Sequence, residues 1–184
     1  MKIESSDALD KKEQIIPESV QTLLVEQMAH EMYNHNLYLS FASYYNRQGL
    51  EILAEYYRRR AAEEKVHHDW IYRFLDDCDI DYSYPAIKAV EVKVNDLVEP
   101  FKLTVDQEKL TTDMIYDIVE EAQDQKDWIT YQFLMSDDRE KGMLIKEQLE
   151  EESLSTTVLS IAEMEGSWLR KQKSIMDVYE GDND

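Results

Sequence analysis

From Glu18 to Gln48 the chain runs thirty-one residues without a glycine or a proline, and Leu24, Met28, Glu31, His35, Tyr38 and Ala42 recur along it at intervals of three and four. That period commits the stretch to one long amphipathic helix with a single buried face. Gly49 stops it, and a second helix is expected from about Leu50 to Cys78. The connection is so short that the two must lie antiparallel, as a hairpin. Only four Gly and three Pro occur in 184 residues, and good helix formers fill the remaining long stretches, so the expected fold class is all-α.

The segment IDYSYPAIKAVEVKVN (80–95) carries a proline, aromatics and β-branched residues. It reads as an extended crossover, long enough at about 3.3 Å per residue to span a bundle end to end. Asp96 and Glu99 form a capping box that opens a third helix, and a fourth is expected from about Asp127 to Glu152. Ser153 to Thr157 offers a break before a fifth, short C-terminal helix interrupted by Gly166. Two hairpins joined by a crossover make an up-down-down-up four-helix bundle, whose facing helices can build a metal site in the shared core. The expected organisation is a polar N-terminal extension (1–16), one domain (17–180) and an acidic tail (181–184).

A formal net charge of −20 argues against nucleic acid as a partner and makes cations natural ones, although the same charge also serves solubility alone. The first sixteen residues lack the apolar core of a secretory signal, and no run approaches the roughly 18 apolar residues of a membrane span. The single cysteine, Cys78, agrees with a reducing compartment. The expected location is therefore the cytoplasm, with no membrane partner.

Glu64 and His67 stand three apart in AAEEKVHHDW, so on a helix both can hold one ion, or both can belong to a solvated charged face. Glu31 and Glu108 decide between these. Each occupies an inward stripe, Glu31 between Met28 and Tyr38, and Glu108 among Phe101, Val105, Thr112 and Ile115. Carboxylates buried together raise one another's pKa and disfavour folding, and a metal ion removes the conflict. Oxygen-rich ligation with one imidazole suits iron or manganese rather than structural zinc, and iron is the expected metal.

With these residues in place the chain resembles the ferritins, specifically the non-haem bacterial type. EQMAHEMYNHNLY resembles the first-helix motif, YYRRRAAEEKVHHDW the second, QEKL the third and DWITYQFL the start of the fourth, and the similarity covers roughly residues 17–150. The resemblance implies a di-iron centre in which Glu31 and His67 hold the first iron, Glu64 bridges, Glu108 holds the second and Tyr38 sits close by. Spacings of 33 residues from Glu31 to Glu64 and 44 from Glu64 to Glu108 fit that pattern without a gap. It further implies Fe(II) oxidation by O2 or H2O2, and storage of Fe(III) mineral in a homo-oligomeric cage of 24 subunits.

Read without a gap, the fourth helix departs from the family: its Glu-Gln pair falls on Glu140 and Lys141. An ammonium there would disfavour the second iron and slow paired oxidation, with Asp137 as its partner or a substitute ligand, and leaves open a storage shell with little ferroxidase activity. Glu63 and Glu140 remain of a third, outlying iron site, with Met143 and Leu144 where its other acids would be. His35 is either a ligand or an ordinary hydrogen-bonded core histidine. No histidine follows His68, and Lys65 stands where a haem-binding methionine would be needed, so haem is not expected.

Overall fold

The computed structural model describes residues 15–138 and 144–182, which form six helices: α1 (Glu18–Arg47), α2 (Glu51–Asp77), α3 (Glu99–Asp124), α4 (Trp128–Leu134), α5 (Leu144–Glu163) and α6 (Trp168–Asp182). Gly49 turns the chain between α1 and α2 with φ +71°, and Leu50 N–H reaches back to the Tyr45 carbonyl at 3.0 Å. A left-handed residue closing a helix in this way satisfies carbonyls the last turn would otherwise leave bare.

The apolar core comes in two clusters. One contains Val20, Leu24 and Met28 of α1, Trp70, Ile71 and Leu75 of α2, Ile115 and Ile118 of α3, Phe133 and Leu134 of α4, and Leu144. The other contains Leu37, Phe41 and Tyr45 of α1, Leu53 and Tyr57 of α2, Phe101 of α3, Leu154 and Val158 of α5, and Ile175 and Tyr179 of α6. Each rod crosses from one cluster to the other, so the membership of successive residues gives its direction. α1 runs from the first to the second, α2 and α3 run from the second to the first, and α4–α5 return. This is the expected up-down-down-up bundle, and α6 caps the second cluster as the extra C-terminal helix.

Residues 80–95 connect the two ends. Ile80 and Tyr82 pack against the first cluster, and Val90, Val92 and Val94 against the second, while Glu91 and Lys93 face solvent. The period of two is that of extended backbone. At its end Asp96 Oδ1 accepts the Val98 and Glu99 N–H groups (2.8 and 2.9 Å), and Glu99 accepts the Asn95 N–H at 2.5 Å. The side chains therefore cap the first turn from both directions.

The last third differs from expectation. The fourth rod is not one helix: α4 ends at Leu134, residues 135–138 are not helical, and α5 begins at Leu144. Nor does a break occur at Ser153–Thr157. Ser155 and Thr156 donate their hydroxyls to the Glu152 carbonyl and Thr157 to that of Ser153, so these residues bond back within α5 instead of capping a new helix. The break falls at Gly166, whose φ is +139°. Ile16, assigned to the polar extension, is buried in the first cluster, and α6 takes in Gly181 and Asp182 of the expected tail.

Candidate metal centre

Between the two apolar clusters lies a polar layer to which every long rod contributes. α1 supplies Gln27, Glu31 and Asn34; α2 supplies Arg60, Glu64 and His67; α3 supplies Glu108 and Thr111; α5 supplies Gln148 and Glu151. The helical period explains the convergence, since each of these residues continues the inward stripe of its own rod at the level where the stripes meet. Glu31, Glu64, His67 and Glu108 are all 0% exposed. All four ligands expected from the sequence are thus brought together.

The layer has two halves sharing Glu64. In the first, one ligand atom from each of Glu31, Glu64 and His67 lies within 4.8 Å of the others; in the second the same holds for Glu64, Glu108 and Glu151. In the first half Glu31 Oε2, both oxygens of Glu64 and both ring nitrogens of His67 are buried without a hydrogen-bond partner among the described residues. Gln27 Nε2 donates to Glu31 Oε1 at 2.6 Å, which aims the other oxygen inward. The nearest acids to His67 are Glu147 at 3.4 Å, Glu151 at 3.6 Å and Glu31 at 3.9 Å. Buried polar atoms are almost always paired, so unpaired oxygens of Glu31 and Glu64 gathered within 4.8 Å of a His67 nitrogen are the mark of a site that fits a cation.

In the second half the carboxylates are already held. Glu108 Oε1 accepts from Tyr38 Oη (2.5 Å) and Arg60 Nη2 (2.6 Å), and Glu108 Oε2 from Gln148 Nε2 (2.9 Å). Arg60 Nη2 also donates to Glu151 at 3.1 Å and Nη1 to Glu63 at 2.9 Å. Tyr38 therefore lies against the second half of the layer, through Glu108. Burial and the adjacent Glu108 push its phenol well above the ordinary tyrosine value.

Electrostatics follow the crowding. Burial and the neighbouring Glu108, Glu31 and Glu151 hold Glu64 well above the usual carboxylate range. Burial pushes Glu151 up to about 8, with Arg60 and His67 opposing it. Burial alone would lower His67, but Glu151, Glu147 and Glu31 around it raise it to about 9. Without metal the layer therefore holds protons where metal would supply positive charge.

Several expected residues lie elsewhere. His35 contacts the Ala61 carbonyl through Nδ1 at 2.6 Å, so it is the ordinary hydrogen-bonded histidine and belongs to neither ligand group. Asp137 is exposed in the non-helical stretch past α4, because the helical register that would have carried it inward ends at Leu134. Glu63 is occupied by Arg60 and by Tyr179 Oη at 2.6 Å. Glu140, Lys141 and Met143 lie outside the described residues.

The positions assigned to them by ungapped reading are filled seven residues later. Gln148 supplies the amide beside Glu108 where Lys141 was expected, Glu147 replaces Glu140 near His67, and Glu151 replaces Leu144, which is buried in the first apolar cluster. Seven residues are about two helical turns, so the shift preserves the inward face. Glu147, Gln148, Glu151 and Arg60 were all missed from sequence. KEQLEEE, with its own Glu-Gln pair, was the available signal for the first three.

Comparison with known proteins agrees with this fold. Residues 21–163 match the Ferritin family model, a ferritin-like domain. A bacterial non-heme ferritin of Staphylococcus aureus (strain USA300) is 30% identical over 134 residues, which are 73% of this chain and 76% of that protein. The Staphylococcus epidermidis protein of the same description is 31% identical over 134 residues, with the same shares of 73% and 76%. Among solved structures, an open pore ferritin from the hyperthermophilic archaeon Archaeoglobus fulgidus superposes with a TM-score of 0.78 at 26% identity, covering 88% of this chain and 97% of that one.

Proposed function

This chain belongs to the ferritin family, and on that premise we propose that it is an iron-storage ferritin that binds Fe(II) inside each bundle and oxidises it there. The Fe(III) mineral is held in a homo-oligomeric cage of 24 subunits in the cytoplasm. The observation that carries the reading is the orphaned set of Glu31, Glu64 and His67, an oxygen-rich site with one imidazole in a dry interior. Glu31 and His67 hold the first iron, Glu64 bridges, and Glu108 and Glu151 face the second. Two Fe(II) supply two electrons, which with two protons reduce O2 to H2O2, or with two protons convert H2O2 to two waters.

Rapid mixing of metal-free protein with about two Fe(II) per subunit and following the Fe(III) absorbance tests the reading. A fast first phase that disappears in Glu64→Ala supports it; oxidation no faster than in buffer and indifferent to that change removes it. Size-exclusion mass together with the iron content of the purified protein tests the cage. A second reading, a storage shell with little ferroxidase activity, no longer draws on Lys141, because Gln148 supplies the amide; what favours it is the guanidinium already bound to Glu108.

A further inference from the structure

A buried guanidinium and a metal ion compete for the same oxygens. Arg60 precedes Glu64 by four residues and His67 by seven, which places it on the ligand-bearing face of α2, and it is 1% exposed. Its Nη2 holds Glu108 (2.6 Å) and Glu151 (3.1 Å), the two carboxylates that join Glu64 in the second ligand set. Its Nη1 holds Glu63 at 2.9 Å, and Tyr179 of α6 fastens Glu63 from the other side, so the planar fork is fixed at both ends. No Arg or Lys pairs with Glu31 or Glu64 among the described residues.

We propose that Arg60 is a resident cation standing in for the second metal ion: the centre takes one divalent cation tightly at Glu31, Glu64 and His67, and accepts a second only when Glu108 and Glu151 exchange the guanidinium for metal. The inference rests on the reading of this layer as an iron-oxidising centre. A guanidinium keeps its proton at any pH a protein tolerates, so the position is not vacated by titration but by movement of side chains. Each oxygen the second ion gains is one Arg60 loses in a buried layer, and an uncompensated buried guanidinium opposes the exchange. Arg60 is thus a positioning residue that sets loading order: capture of the first ion displaces no guanidinium, and pairing is gated.

Anaerobic titration of the assembled metal-free protein with Co(II), read by calorimetry and by the ligand-field absorption of bound Co(II), tests this. The wild type is expected to bind one Co(II) per chain tightly and the second at least about tenfold more weakly. Arg60→Gln tightens the second step by about tenfold or more with little change in the first, and adds the spectrum of a second site. Arg60→Lys, which keeps the charge, leaves the second step weak. Because Arg60→Gln strips the counter-ion from three acids, Arg60→Gln/Glu63→Gln, which removes one charge of each sign and leaves Glu108 and Glu151 in place, provides a second variant with the same expected gain.

Two equally tight ions in the wild type, or a second step unchanged by both Gln variants, overturns the inference and leaves the iron-oxidising centre standing. Arg60→Lys behaving as Arg60→Gln also overturns it, since charge would then not be the cause. No Co(II) bound at the layer by any of these proteins removes the proposed function itself.

Discussion

The two halves of the polar layer share Glu64 and lie equally deep in the bundle, yet one is electrostatically closed and the other open. Around Glu108, Arg60, Tyr38 and Gln148 satisfy both carboxylate oxygens. Around Glu64 nothing does. A folded protein keeps carboxylates buried and unpaired only against the free energy of folding, so the open half is where the proposed cation would be accommodated and the closed half is where stability is held. Of the three side chains that hold Glu108, only Arg60 brings a charge, so a single guanidinium on α2 sets the charge difference between the halves.

Substitutions should split along that line. Arg60→Met leaves Glu108, Glu63 and Glu151 without their partner and is expected to lower the stability of the metal-free protein by about 3–5 kcal/mol. Glu64→Gln replaces a carboxyl that nothing pairs with and that holds its proton in the metal-free protein, and should fall within about 1 kcal/mol of wild type. Denaturant unfolding in chelator measures both, and comparable losses would erase the distinction. Metal addition gives the reciprocal result. Zn(II) at about a hundred times its Kd should add roughly 2.7 kcal/mol, or about 5–10 °C in Tm, through the open half. Glu64→Ala should abolish that gain, and a full gain in this variant would place the ion elsewhere.

The open half was legible in the sequence, together with Glu108 and Tyr38 of the closed half; Arg60, Gln148 and Glu151 were not, for physical reasons. Glu31 and Glu108 interrupt apolar stripes on long unbroken helices, where periodicity fixes the facing of every residue; Glu64 and His67 follow at the spacing of one face. Arg60 sits in the run Arg58-Arg59-Arg60, which reads as a solvated patch. Arg58 and Arg59 are indeed exposed and pair with Glu55, while Arg60 turns inward at the position four before Glu64. α5 was lost differently. A helix read straight through the interruption after α4 keeps its period but not its register, and seven residues of slip moved Gln148 and Glu151 off the site. The hairpin, crossover and direction of the rods survived because they depend on stripes rather than on any single position.

Acidity should sharpen the contrast on a smaller scale. His67 is raised from 6.5 to about 9 by Glu151, Glu147 and Glu31 against the effect of burial, and Glu151 from 4.5 to about 8 by burial itself. In each case the folded state binds protons more tightly than the unfolded chain, so the contribution to stability is present at low pH and is lost as pH rises toward those raised values. Metal-free protein should therefore melt progressively lower between about pH 6 and 9. A bound divalent cation replaces the protons, so the slope should flatten when Zn(II) is present. A metal-free Tm that is flat or rises over this window would show that the layer is neutralised by something else.

The smallest effect tests how far the closed half extends. Tyr179 of α6 donates to Glu63 at 2.6 Å, and Glu63 holds the outer nitrogen of Arg60, so the C-terminal helix reaches the centre through two contacts. Tyr179→Phe keeps the ring against Tyr56, at a centroid distance of 5.4 Å, and removes only the hydroxyl. The expected stability loss is about 1 kcal/mol, the ordinary net worth of one hydrogen bond. If the fork is held from both ends, releasing one should also tighten the second Co(II) step by less than Arg60→Gln does, on the order of two- to threefold. A stability loss without any change in that step would confine α6 to packing and make Glu108 and Glu151 sufficient to hold the guanidinium.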